Sequence, residues 1–284
     1  MNKKSFILVN AAVLLFGFAG LFARWVSLPA LGITFGRVFF SSIALGLYIR
    51  LSGGSFKVES RRDLTVLIVS GALLAVHWWS ILKSIQLSTV AIGTITFSTF
   101  PFFVSFMEPL VLHEKPRAKN VIVALVILAG VIITIPSFSF ENDIFRGVLV
   151  GMISPVSYSV ITILNKGFTR SYSGTLISFY EQATAAAVLL PLALAAGIRP
   201  GVRDIGLLIV FGTLTTAFAH TLFINSLKDI PARLAGVCSS METVYGILFA
   251  MILLGEAPSL REILGGAVIM AAVIFAQLTE TGEA

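Results

Sequence analysis

Ten runs of roughly twenty mostly apolar residues follow one another along the chain, separated by short polar stretches. A hydrocarbon layer about 30 Å thick is crossed by about 20 residues of α-helix, so runs of this length read as membrane-spanning helices. They cover residues 5–25, 31–51, 64–85, 89–112, 120–135, 146–165, 174–196, 204–226, 233–254 and 261–279. The runs are continuous and not alternating, which argues against a β-barrel. The longest polar stretch, 52–63, is too short for a separate domain. Only 12% of the 284 residues are charged and 57% are hydrophobic, where a soluble domain carries about 25% charged residues. The predicted class is an all-α membrane protein of ten transmembrane helices.

One phrase is written twice. FMEPLVLHEKP begins at Phe106, and LFAMILLGEAP begins 142 positions later at Leu248. At the same offset Ser84 falls on Ser226, Leu112 on Leu254, Glu114 on Glu256, Pro116 on Pro258, Phe16 on Tyr158 and Arg24 on Lys166. The chain therefore reads as one five-helix unit used twice, over 1–138 and 139–284. Five is odd, so the second unit enters the membrane from the opposite side, and the two form inverted repeats. Glu114 and Glu256 read as helix-end residues that pair with nearby bases.

Lys and Arg set the orientation. With the N-terminus inside, thirteen lie on the inner side and six on the outer, with Arg37 inside a helix. That bias places both termini in the cytoplasm and the protein in the cytoplasmic membrane, crossed many times. The net charge of +6 is carried largely by these loops and does not imply a nucleic-acid partner. The single cysteine, Cys238, excludes an intramolecular disulfide and reads as a small buried residue. The first run has no persuasive cleavage site and reads as a retained helix.

Ionisable residues at membrane depth are costly and tend to face a cavity or a partner. Arg37 lies about six residues in from the outer end of the second run, Glu181 about seven in from the inner end of the seventh, and Glu242 near the middle of the ninth. Glu242 has two functional readings, a proton carrier and a site for a substrate ammonium, and one structural reading, a fixed pair with Arg37. The Arg37 fork suits a carboxylate. Arg37 and Glu181 lie at different depths and are poorly placed for a direct pair. His77 and Trp78, with Trp79, form a cluster of large amphipathic side chains; His77 has room to hold a proton, and at least one tryptophan suits the interfacial belt. Thr99, Tyr158 and Tyr245, with Phe16, fall near mid-membrane and are candidates to line a cavity. His220 reads as a packing residue. Pro101, Pro109, Pro155 and Pro191 interrupt helix hydrogen bonding inside runs. The histidines lack ligand spacing, so neither metal nor cofactor is expected.

Phe16-Gly17, Phe35-Gly36-Arg37, Ser84-Ile85-Gln86-Leu87-Ser88, Thr99-Phe100-Pro101 and Leu112-His113-Glu114-Lys115-Pro116, with the second-half partner Leu254-Gly255-Glu256-Ala257-Pro258, carry a resemblance. The chain resembles the drug/metabolite transporter superfamily, specifically its ten-helix EamA type, over nearly its whole length. The family usually has Trp where Phe16 stands. The resemblance implies a cavity lined by eight helices, with the fifth and tenth outside that ring. Small residues such as Ala267 with Ala271, and Ala272 with Ala276, suit close packing of the tenth. It also implies secondary transport of amino acids, other metabolites or drugs, often outward.

The expected function is therefore alternating-access transport of a small amphiphilic metabolite, an amino acid or a relative of one, with proton coupling as an option. A lipid or sugar-carrier translocator of the same fold is the alternative. An intramembrane enzyme is a weaker reading, since neither Gly-x-Ser-x-Gly nor His-Glu-x-x-His is present. No phosphate-binding Gly-x-x-x-x-Gly-Lys-Ser/Thr loop supports nucleotide hydrolysis.

Overall fold

A computed structural model describes residues 3–111 and 118–281, and no strand occurs among them. The Glu114 motif lies outside the described residues. In chain order the helices are α1 (Lys3–Gly17), α2 (Ala19–Trp25), α3 (Ala30–Leu51), α4 (Arg61–Leu87), α5 (Val90–Phe97), α6 (Phe100–Val111), α7 (Ala118–Thr134), α8 (Asp143–Gly151) and α9 (Ile153–Phe168). Then come α10 (Gly174–Ala195), α11 (Val202–Val210), a π-helical segment (Phe211–Phe218), α12 (Ala219–Ser226), α13 (Ala232–Leu254) and α14 (Leu260–Thr281). Short helices that run on from one another (α1 with α2, α5 with α6, α8 with α9, and α11 through the π segment to α12) build single spans. Among the described residues, eight spans are long and apolar enough to cross a membrane.

Polar side chains fix where helices start. Ser60, Thr89, Asn142 and Ser173 each accept a hydrogen bond from a backbone N–H three residues on, at 3.0, 3.0, 3.1 and 3.2 Å. These bonds satisfy donors that the first helical turn leaves open. At the far end of α13, Gly255 takes the left-handed conformation (φ 67°) that glycine adopts without strain.

Within spans, prolines accompany some of the breaks. Pro101 follows the gap between α5 and α6, and Pro155 follows Met152, where α8 gives way to α9. Pro191 sits inside α10 without breaking it. Hydropathy does not register these interruptions, because a run stays apolar whether or not its hydrogen-bond ladder is continuous.

α1 packs on α12 and α13, α3 along α10, α4 against α8, α9 and α10, and α5 and α6 against α13 and α9. α7 and α14 pack chiefly on one another. Their backbones meet where a Cβ added at Gly265 would stand 2.6 Å from the Gly130 carbonyl. That contact uses glycines and not the Ala267–Ala271 pair, which is exposed, whereas Ala272 is buried in one cluster with Ile127 and Val131 of α7. Outward faces carry exposed Leu47, Ile122, Leu192, Ile252 and Phe275, an apolar surface suited to lipid.

Candidate functional site

Arg37, on α3, is only 2% exposed. Its guanidinium carbon lies 4.0 Å from the Trp78 ring centre and 4.1 Å from that of Phe211. Each such contact contributes about 0.5–2 kcal/mol. Arg37 Nε donates to Thr216 Oγ1 at 3.1 Å, and Thr216 Oγ1 donates to the Phe211 carbonyl at 2.8 Å. Phe211 and Thr216 are five apart, the spacing that a π-helix brings into register. One π turn thus supplies both a ring for the face of the cation and a hydroxyl for its Nε. Gly212 lets that turn come close, because a Cβ there would stand 2.8 Å from the Arg37 carbonyl. The two Nη nitrogens make no hydrogen bond among the described residues, so the fork is free.

The fork opens into a narrow cavity of about 30 Å³. Arg37, His77, Trp78, Phe97, Tyr158 and Glu242 are among its lining residues. His77 Nδ1 meets Ser154 Oγ at 2.8 Å and the Ser154 carbonyl at 3.2 Å. Its ring stacks on Tyr158 at 4.4 Å. Neither His77 Nε2, the Tyr158 hydroxyl nor the Glu242 carboxylate makes a hydrogen bond among the described residues. Trp78 is 5% exposed and belongs to the cavity wall, not to an interfacial belt.

Glu242, on α13, is 7% exposed. The fixed pair with Arg37 is not made, because no ion pair within 4.0 Å joins them. Arg37 is instead packed against two rings, with its Nε on Thr216. The Arg37 guanidinium and the Glu242 carboxyl face one cavity with a gap between them.

Five of the eight sequence candidates therefore converge: Arg37, His77, Trp78, Tyr158 and Glu242. Glu181 does not line the cavity; its Oε2 pairs with His220 Nε2 at 2.9 Å. Thr99 bonds the Thr96 carbonyl at 2.8 Å and lines a separate apolar cavity with Phe102, Leu128 and Met152. Tyr245 is half-buried, with its Cβ against Gly17 and its ring near Phe249. Phe97, Ser154, Phe211 and Thr216 belong to the site or its support and carried no signal in sequence. Among the described residues no group of three or more His, Cys, Asp or Glu is placed to hold a metal.

An all-helical bundle of membrane-crossing length around a buried charged cavity is the arrangement of a membrane transport protein. The chain belongs to the EamA-like transporter family, which matches residues 3–135 and again 145–277. It is 24% identical to an S-adenosylmethionine uptake transporter of Rickettsia prowazekii, over 86% of this chain and 81% of that one. It is 27% identical to the pseudopaline exporter CntI of Pseudomonas aeruginosa, over 90% of this chain and 89% of that one. One solved crystal structure superposes with a TM-score of 0.73 over 98% of each chain at 18% identity, which shows a shared fold.

Proposed function

We propose that the chain is a secondary transporter that moves a small zwitterionic metabolite, an amino acid or a compound with an amino-acid head, out across the cytoplasmic membrane by alternating access. Arg37 holds the carboxylate through its free fork, Glu242 receives the ammonium, and Trp78, Phe97 and Tyr158 face the remainder. The observation that carries this reading is the cavity itself. A buried cation, acid, hydroxyl and imidazole all turn unfilled hydrogen-bonding capacity into one space, and buried polar groups are rarely left so. A ligand with both signs of charge satisfies them together.

Two inverted five-helix halves, 1–138 and 139–284, with both termini cytoplasmic, supply the machinery. The family's two matches are offset by 142 residues, the same offset as the written repeat. Helix packing also maps onto itself under the exchange of halves, with α3 on α10 and α7 on α14. The named relatives carry in opposite directions, so export rests on the family resemblance and the exporter. S-adenosylmethionine, cargo of one relative, carries an α-amino carboxylate.

The test is exchange in proteoliposomes, with L-methionine, L-phenylalanine and S-adenosylmethionine as labelled probes. Saturable exchange of at least one, abolished by Arg37→Ala, is expected. No exchange of any of the three would sink the reading.

A further inference from the structure

Trp78 touches more than Arg37. The His220 ring meets it edge to face at 5.5 Å between centres, and His220 in turn holds Glu181. This acid–imidazole pair is deeply enclosed, with side-chain exposures of 1% and 0%. Neither residue lines the cavity. Only half of the pair's hydrogen-bonding capacity is used. Glu181 Oε1 and His220 Nδ1 are both buried with no partner among the described residues. A carboxylate–imidazole pair kept for packing alone is stable only when its remaining atoms are also bonded. Polar side chains without partners adjoin it. Gln182 is the next residue, and Ser70 precedes Gly71, whose added Cβ would stand 2.5 Å from the Glu181 carbonyl.

We propose that Glu181 and His220 form a proton-binding site, separate from the substrate cavity, through which transport is coupled to the proton gradient. The inference rests on the transport reading above. The ligand is a proton, taken up from water on one side and released on the other. It resides on His220 or on Glu181, and the heavy-atom framework accommodates either. The nearest titratable groups on neighbouring elements are Tyr158 on α9, with its ring 6.3 Å from His220, and Arg37 on α3 and His77 on α4 beside Trp78, while Glu242 on α13 lines the cavity that Arg37, His77 and Tyr158 share. Because the Trp78 ring touches both the Arg37 cation and the His220 ring, a change of charge on the pair is felt at the carboxylate anchor. That contact couples proton to substrate without the two sharing a binding group.

Full-length protein, Glu181→Gln and His220→Gln are reconstituted and assayed in two ways with labelled L-methionine, L-phenylalanine and S-adenosylmethionine. One assay is exchange without a gradient; the other is accumulation driven by an imposed pH difference. Wild type is expected to do both. Each variant is expected to keep exchange and to lose gradient-driven accumulation. Accumulation that survives in both variants overturns the proposal. So does wild-type exchange that no pH difference drives, which leaves the transport reading standing. Absence of wild-type exchange overturns the transport reading itself. If neither variant yields folded protein by thermal melting, the pair is a packing element and the proposal fails.

Discussion

Arg24 and Lys166, 142 positions apart, fasten opposite ends of the bundle through equivalent backbone atoms. Arg24 Nη2 donates to the Ser88 carbonyl at 2.6 Å, and its Nε lies 3.5 Å from Glu256. Lys166 Nζ donates to the carbonyls of Ile230 at 3.0 Å and Leu227 at 2.6 Å. Ser88 and Ile230 are themselves 142 apart. Ser5, at the start of α1, donates to Asp229 at 2.6 Å, so α1 begins at the Lys166 end, and α2 finishes at the Arg24 end. Each end of the molecule thus has a base tied to a loop carbonyl.

These ties are expected to act as opposed latches. Arg24→Ala frees the end near Ser88, and Lys166→Ala frees the end near Ile230. With a reporter cysteine in the cavity, the first substitution should raise labelling from one face of the membrane and the second from the other. Equal effects of both substitutions on one face would show that the contacts do not gate.

Arg37→Ala is expected to weaken binding of a carboxylate-bearing probe by about tenfold or more, as loss of a buried charged partner does. The methyl ester of the same probe should be nearly indifferent to the substitution. Arg37→Lys should recover little, because an ammonium offers neither the planar fork nor the stacking surface between Trp78 and Phe211. Competition of acid and ester in the exchange assay reads the difference.

Thr216→Val keeps the shape of the π segment's side chain and removes the acceptor for Arg37 Nε. A hydrogen bond of this kind contributes about 1 kcal/mol, so an affinity loss of about three- to tenfold is expected. Gly212→Ala attacks the same anchor by another route, forcing α3 and the π turn apart where only 2.8 Å is open. Binding assays on both variants should show a common defect for carboxylate probes.

The pair of outer helices offers a contrast. Gly265→Leu overfills the contact with Gly130, and overpacking costs about 1–3 kcal/mol. The melting temperature should fall. The Kd of the carboxylate probe should hold, because α7 and α14 contribute no residue to the Arg37 cavity.

Spans were legible because burial in lipid leaves a continuous apolar run, and the run at 31–51 is matched by Ala30–Leu51. Interruptions were not legible, since Phe18, Met152 and the π turn alter hydrogen bonding without altering hydropathy. Arg37, His77, Trp78, Tyr158 and Glu242 could be picked out because charge and aromatic polarity are rare at that depth. Their supports could not. Phe211 and Thr216 look like ordinary membrane residues until the π register aligns them. Thr99 lies between α5 and α6 and lines a separate apolar cavity with Phe102 and Leu128. His220 showed itself as a histidine within a span, but its partner Glu181 is 39 residues away on another helix, and only the fold brings them together.

The central claim is that the space beside Arg37 holds substrate and opens in turn to each side. Ser239, 2% exposed on its wall, is the probe position. In a Cys238→Ser background, Ser239→Cys would be labelled with a membrane-impermeant thiol reagent in right-side-out and inside-out vesicles, with and without the probe that exchanges. We expect labelling from both faces, slowed by that probe. Labelling from neither face by a variant that still exchanges its probe would contradict the claim.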